Sequence, residues 1–229
     1  MKGLREYHSH GQMSEAFLTA AFLSLSGGLL DAYTYVFRGG VFANAQTGNI
    51  VLLSQNLFEK NWGLALRYFI PVFSFVLGVA IAEWIRQSYS NIHSFHWRQL
   101  VVLIEIIQLF IVGFLPQRMN MLANAMVSFS CAMQVQAFRK VTGYAFSSTM
   151  CIGNVRSAME SLYTFCRKRE PKMLKKTLRY WEIILLFALG AGLGGHFSSV
   201  FGAKTIWFSC ALLLISFFLM FIREEEEEC

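Results

Sequence analysis

Asp31, Glu105, Arg156, Glu160 and His196 are ionisable residues that fall within or beside apolar runs of this chain. Asn44, Gln46, Thr47, Gly48 and Asn49 crowd into one such run, VFANAQTGNIVLL at 41–53. Gln134, Gln136, Gly153 and Asn154 stand in two later ones. Carboxylates, amides and hydroxyls among apolar residues fit hydrogen bonding to a small polar solute, or the holding of a cation. They do not compose an enzyme. No Gly-x-Ser-x-Gly, His-Glu-x-x-His or paired catalytic aspartates occurs, so nucleophile, metal and base each lack a motif. His8 and His10 are a lone pair near the terminus, and the five cysteines include no Cys-x-x-Cys. Neither makes a metal site, and no cofactor is expected.

The setting of these residues gives them meaning. The chain is 55% hydrophobic and only 15% charged, against about 25% charged in a soluble domain. Several apolar runs approach the roughly 20 residues that cross a bilayer core. The composition predicts an all-α, multi-span membrane protein of one domain, residues 1–229, with the lipid bilayer as its first partner. The net charge of +6 does not point to nucleic acid. The basic residues gather in short loops, most densely in RKREPKMLKKTLR at 167–179, where the orientation rule for membrane helices accounts for them.

Eight segments follow one another, at about 16–37, 41–58, 64–85, 100–115, 121–138, 144–165, 181–200 and 205–222. In each group of four the second is the polar one. Laying Gly48-Asn49 on Gly153-Asn154 also lays Asp31 on Gln136, Ala32 on Ala137 and Leu57 on Leu162. The order of segment types repeats too, which predicts an internal duplication with repeats at about 13–115 and 119–222, a common plan in membrane transport folds. Gln134 and Gln136 end the fifth segment where Asp31 ends the first, so a duplicated site would pair one acid with amides.

The two polar segments are poor lipid-facing helices. An amide left unsatisfied in hydrocarbon costs several kcal/mol. Arg156 and Glu160, four apart in the second, would cost about 2.5–3.5 kcal/mol each at mid-membrane. Both segments are therefore expected inside the bundle, broken at their Gly-Asn pairs. They either cross or re-enter on the side they came from. With re-entry there are about six full spans plus the two polar segments, and with the N-terminus inside roughly 14 basic residues lie inside and 5 outside. With eight crossings, 4+4, the count is roughly 13 and 6. Either way both termini are cytoplasmic. Glu105, with Gln108 nearby, reads as a buried hydrogen-bonded residue or a secondary candidate for the solute or ion site. His196, after a glycine-rich run, reads as packing or a proton relay.

At these residues the chain resembles the YoaK family of bacterial membrane proteins. The matching pieces are GGLLDAYTYV at 27–36, GGVFANAQTGNIVLL at 39–53 and CAMQVQAFRKV at 131–141. The family pairs an Asp-Ala after small residues with a Gly-rich turn and a Thr-Gly-Asn. Its second half more typically has Gln-Asn-Ala and Thr-Gly-Thr, where this chain has Gln136 and Ile152-Gly153-Asn154. The resemblance implies a multi-span protein of the bacterial inner membrane and supplies no substrate. The expected function is a small transporter or channel for a polar solute or ion, its site at the midplane between the two Gly-Asn segments. The alternative is a non-transporting assembly protein, a homodimer or accessory subunit, joined through the small-residue faces around Gly28 and Gly190.

Overall fold

The computed structural model describes residues 17–89, 97–141, 144–145, 149 and 151–221. His8, His10, Cys229 and the acidic tail lie outside them. The described residues form eight α-helices: α1 Phe17–Phe37, α2 Gln46–Phe58, α3 Trp62–Tyr89, α4 Trp97–Val112, α5 Asn120–Ala137, α6 Cys151–Lys168, α7 Pro171–Phe201 and α8 Ile206–Phe221. One two-residue antiparallel pair, Lys140–Val141 with Tyr144–Ala145, sits between α5 and α6.

Side-chain contacts fix which helix ends lie together. Arg179, early in α7, covers the ring of Phe17 at the start of α1. Arg98, at the start of α4, donates to the carbonyl of Ala137 at the end of α5. These ends form one pole of the bundle. At the other pole Arg38, just past α1, donates to the carbonyl of Val112 at the end of α4 and to Asn120 Oδ1 at the start of α5. Arg67, early in α3, reaches the carbonyl of Gly39. Tyr33 donates to Ala203, between α7 and α8. Helices α1, α3, α4, α5, α7 and α8 therefore run pole to pole in alternation.

The other two helices do not. Helix α1 closes with a turn in which the N–H of Gly40 donates to the carbonyl of Tyr35. Gly39 sits at φ +93, the left-handed position that such a cap requires and that glycine adopts without strain. The chain then runs back along α1. Phe42 stacks on Tyr35, the N–H of Asn44 bonds Asp31, and the Asn44 amide bonds the carbonyl of Gly27. Positions 35, 31 and 27 are successive turns of one helix face. Helix α2 begins at that depth, and its 13 residues span about 20 Å. It returns to the pole it came from, because α3 starts there beside Gly39. Helix α6 does the same from the opposite pole. Thr149, just before it, lies against Gly27, whereas Ala158 in its middle packs with Ala20, Tyr180 and Ile183 nearer the start of α1.

Two expectations change here. The Gly-Asn pairs are not breaks: both polar helices are continuous, and Gly48-Asn49 and Gly153-Asn154 lie in their first turns. Ahead of α2 the backbone at 41–45 is not helical. Nor are these helices inside the bundle. Only Asn49 and Asn56 of α2, and Asn154, Ala158 and Ser161 of α6, are buried. Each packs one polar stripe inward, α2 on α3 and α6 on α7. Arg156 and Glu160 pair at 2.9 Å on the outer face, since a guanidinium and a carboxylate on the same helix face can satisfy one another without being buried.

The tightest packing joins α1 to α7. A Cβ on Gly28 would collide with the carbonyl oxygen of Phe187, one on Gly190 with that of Leu25, and one on Gly194 would stand 2.6 Å from that of Leu29. The small-residue faces around Gly28 and Gly190 thus face each other within the chain, and the dimer surface expected of them is already occupied. Two stretches, Trp62–Ser88 and Pro171–Met220, are long and apolar enough by composition to cross a membrane. Helices α1 and α5 are diluted by polar side chains such as Asp31, Thr34, Ser128 and Gln134, all buried.

Candidate functional site

The site is built around α1 at Gly27 and Asp31, where the two incoming loop tips meet. Asp31 is 7% exposed. Its Oδ1 accepts the N–H of Asn44 at 2.7 Å. The residue before α2, Ala45, gives the helix no side-chain cap. Asp31 holds the loop just ahead of the helix, and its charge suits the positive end of the helix dipole.

Asn49 locks the loop from the other direction. Its Oδ1 accepts the N–H of Phe42 at 3.0 Å, and its Nδ2 donates to the Phe42 carbonyl and to Gln46 Oε1. Gln46 in turn donates to the carbonyl of Ala43. The amides read as candidate ligands are therefore spent on holding residues 42–46 in shape. Thr47 faces outward. A Cβ on Gly48 would stand 3.0 Å from the Phe42 ring, so the ring would have to give way.

What the loops present is different. Asn44 uses its Nδ2 on Gly27, while its Oδ1 is buried and has no partner. Thr149, on the opposite tip and 7% exposed, lies against Gly27 with its Oγ1 also unpartnered. Thr149 was not among the residues singled out from sequence, where nothing sets it apart from the other hydroxyl residues of its segment.

The other candidates are dispersed. Gln134 is buried and donates to the carbonyl of Leu23. Gln136 donates at 2.7 Å to Glu83 at the pole where α5 ends, so it does not share a site with Asp31. Gly153 is exposed with open space around it, and Asn154 is buried. His196 is exposed on α7 beside Phe197. Glu105 is fully buried, and Gln108 does not serve it, because Gln108 Oε1 accepts a bond from Ser130 at 2.6 Å.

Residues 19–219 match the family described as "Protein of unknown function (DUF1275)". The chain belongs to that family. The UPF0700 transmembrane protein YoaK of Bacillus subtilis (strain 168) is 25% identical over 183 residues, covering 75% of this chain and 79% of the relative. The membrane setting in that relative's name agrees with the apolar composition here. No solved structure matches the chain.

Proposed function

We propose that this DUF1275 chain is a transporter or channel of the bacterial inner membrane for a small polar solute or ion. Six helices cross, and α2 and α6 re-enter from opposite faces. The observation that carries the reading is the meeting of the two loop tips on Gly27, beside Asp31, each with a buried polar oxygen left unpaired. Irregular backbone at membrane depth is tolerated where protein or water covers it, and paired re-entrant elements near the midplane are where transport folds place their sites. Asn44 Oδ1 and Thr149 Oγ1 would meet the solute, with Asp31 disfavouring anions.

The packing supports an inverted duplication. Helix α2 begins at 46 and α6 at 151, an offset of 105 (151 − 46), which also carries Asp31 onto Gln136. With α1 to α4 mapped on α5 to α8, the contact of α1 with α7 becomes that of α5 with α3, and α2 with α3 becomes α6 with α7. Both re-entrant helices end on a basic residue at positive φ, Lys60 and Arg169. Trp62 and Trp84 stand exposed on α3, 22 residues and so about 33 Å apart, the spacing of aromatic belts at two interfaces. The pole carrying Arg167, Lys168 and Lys172 is then the cytoplasmic one, with both termini.

Flux through proteoliposomes tests the reading, using osmotic swelling in a panel of small neutral and cationic solutes. Asn44→Ala and Thr149→Val should change the rate for whichever solute the wild type passes. A folded wild type that passes none of the panel, or variants that leave its flux unchanged, would count against it.

A further inference from the structure

Glu105 belongs to no part of the site above. It is 0% exposed on α4, and neither carboxylate oxygen has a hydrogen-bond partner. No described ion pair reaches it. At the next residue of α4, the carbonyl of Ile106 accepts from the Cys210 thiol of α8. The charged residues of the neighbouring elements are committed elsewhere: Arg38 and Arg98 to backbone carbonyls at opposite poles, Arg67 to Gly39, and Glu83 to Arg86 and Gln136.

A carboxylate in such a place must acquire a partner, because burying an unpaired charge is far costlier than burying a neutral acid. No cluster of three metal-ligating side chains occurs among the described residues, and no cationic side chain is on hand. The partner that fits is the smallest. We propose that Glu105 is a proton-binding site in the core of the bundle. Glu105 lies eight residues into α4 and Asp31 fourteen into α1, about 12 and 21 Å from the pole where both helices begin, so neither is at a surface. Loading moves one proton from hydronium to a carboxylate oxygen and leaves water. Release returns it to water, and no electrons move.

Infrared spectroscopy of the full chain in detergent at neutral pH, in H2O and in D2O, tests this without any solute. The expected result is a protonated-carboxyl C=O stretch that shifts on deuteration, is lost in Glu105→Gln and persists in Asp31→Asn. Glu105→Gln keeps the shape of the side chain, and its melting temperature in detergent confirms that the loss is not unfolding. A wild type without the band, or a band retained in Glu105→Gln, overturns the proton site. These outcomes are separate from failure of the flux assay, which would remove transport and leave the proton site standing.

Discussion

Replacing Asp31 by asparagine should unfasten the first loop tip without unfolding the bundle. The Asp31 carboxylate accepts the backbone N–H of Asn44 at 2.7 Å. Asparagine offers that donor at best a neutral oxygen in place of a charged one, and at worst an NH2 group. A hydrogen bond to a charged group is worth about 1.5–3 kcal/mol. At about 1.4 kcal/mol per factor of ten, amide protection over residues 43–49 should fall roughly 10- to 150-fold. Hydrogen–deuterium exchange with mass spectrometry, in detergent, reads this from the peptide covering 41–53. The peptide covering α3 serves as the internal reference and should change little. If the 41–53 peptide exchanges in Asp31→Asn as slowly as in the wild type, Asp31 does not hold the tip, and its charge must be explained some other way.

Four further outcomes follow from the packing. Gly28→Ala should lower the melting temperature in detergent, with a cost at or above the 1–3 kcal/mol or so of ordinary overpacking, because the new methyl meets the backbone of Phe187 and not a movable side chain; an unchanged melt would refute the close α1–α7 approach. Gly153→Ala should be neutral or stabilising by up to about 1 kcal/mol, since open space surrounds it inside a continuous helix, and a clear drop in melting temperature would restore the helix-break reading. Arg38→Ala should cost about 2–4 kcal/mol by leaving the carbonyl of Val112 and Asn120 without their donor, and Arg38→Lys should recover little of it, because an ammonium does not reproduce the planar fork. Arg156→Gln combined with Glu160→Gln should leave both melting and flux near wild type, the pair being exposed at 81% and 62%; strong loss of flux would return it to the pathway.

The sequence made the helices legible because apolar runs of fixed length leave few alternatives. The eight segments and the eight helices differ mainly at their starts. The largest shift is at α7, which starts at Pro171, ten residues before the apolar run expected at about 181, because a basic stretch forms its first turns and hydropathy does not count it as helix. The polar helices start late, α2 at Gln46 and α6 at Cys151, against about 41 and 144. The apolar residues before α2, Val41 and Ala43, are buried in non-helical backbone, and hydropathy does not distinguish that from helix. Amide roles were harder to read. Asn49 and Gln46 are the residues a ligand site would use, yet they bond their own loop, because an asparagine in a first helical turn finds local backbone donors and acceptors before any distant group. Arg156 and Glu160 looked buried only because their segment was assumed to be. The glycine faces of α1 and α7 were correctly read as contact surfaces, but a sequence does not say whether the contact is within one chain or between two. Thr149 carried no signal of its own, and only folding brings it to Gly27.

The re-entry of α2 and α6 from opposite poles is the claim on which the rest depends, and side-specific labelling tests it most directly. Glu59 and Glu170 are exposed, immediately after α2 and just before α7. In a background with Cys131, Cys151, Cys166, Cys210 and Cys229 replaced, Glu59→Cys and Glu170→Cys are each treated with a membrane-impermeant maleimide in intact cells and in inverted vesicles. Re-entry places the two residues on opposite faces, so Glu59→Cys should label in intact cells and Glu170→Cys only in inverted vesicles. If both label from the same side, α2 and α6 cross the membrane, the duplication is parallel and not inverted, and the meeting of the loop tips beside Asp31 cannot be the site.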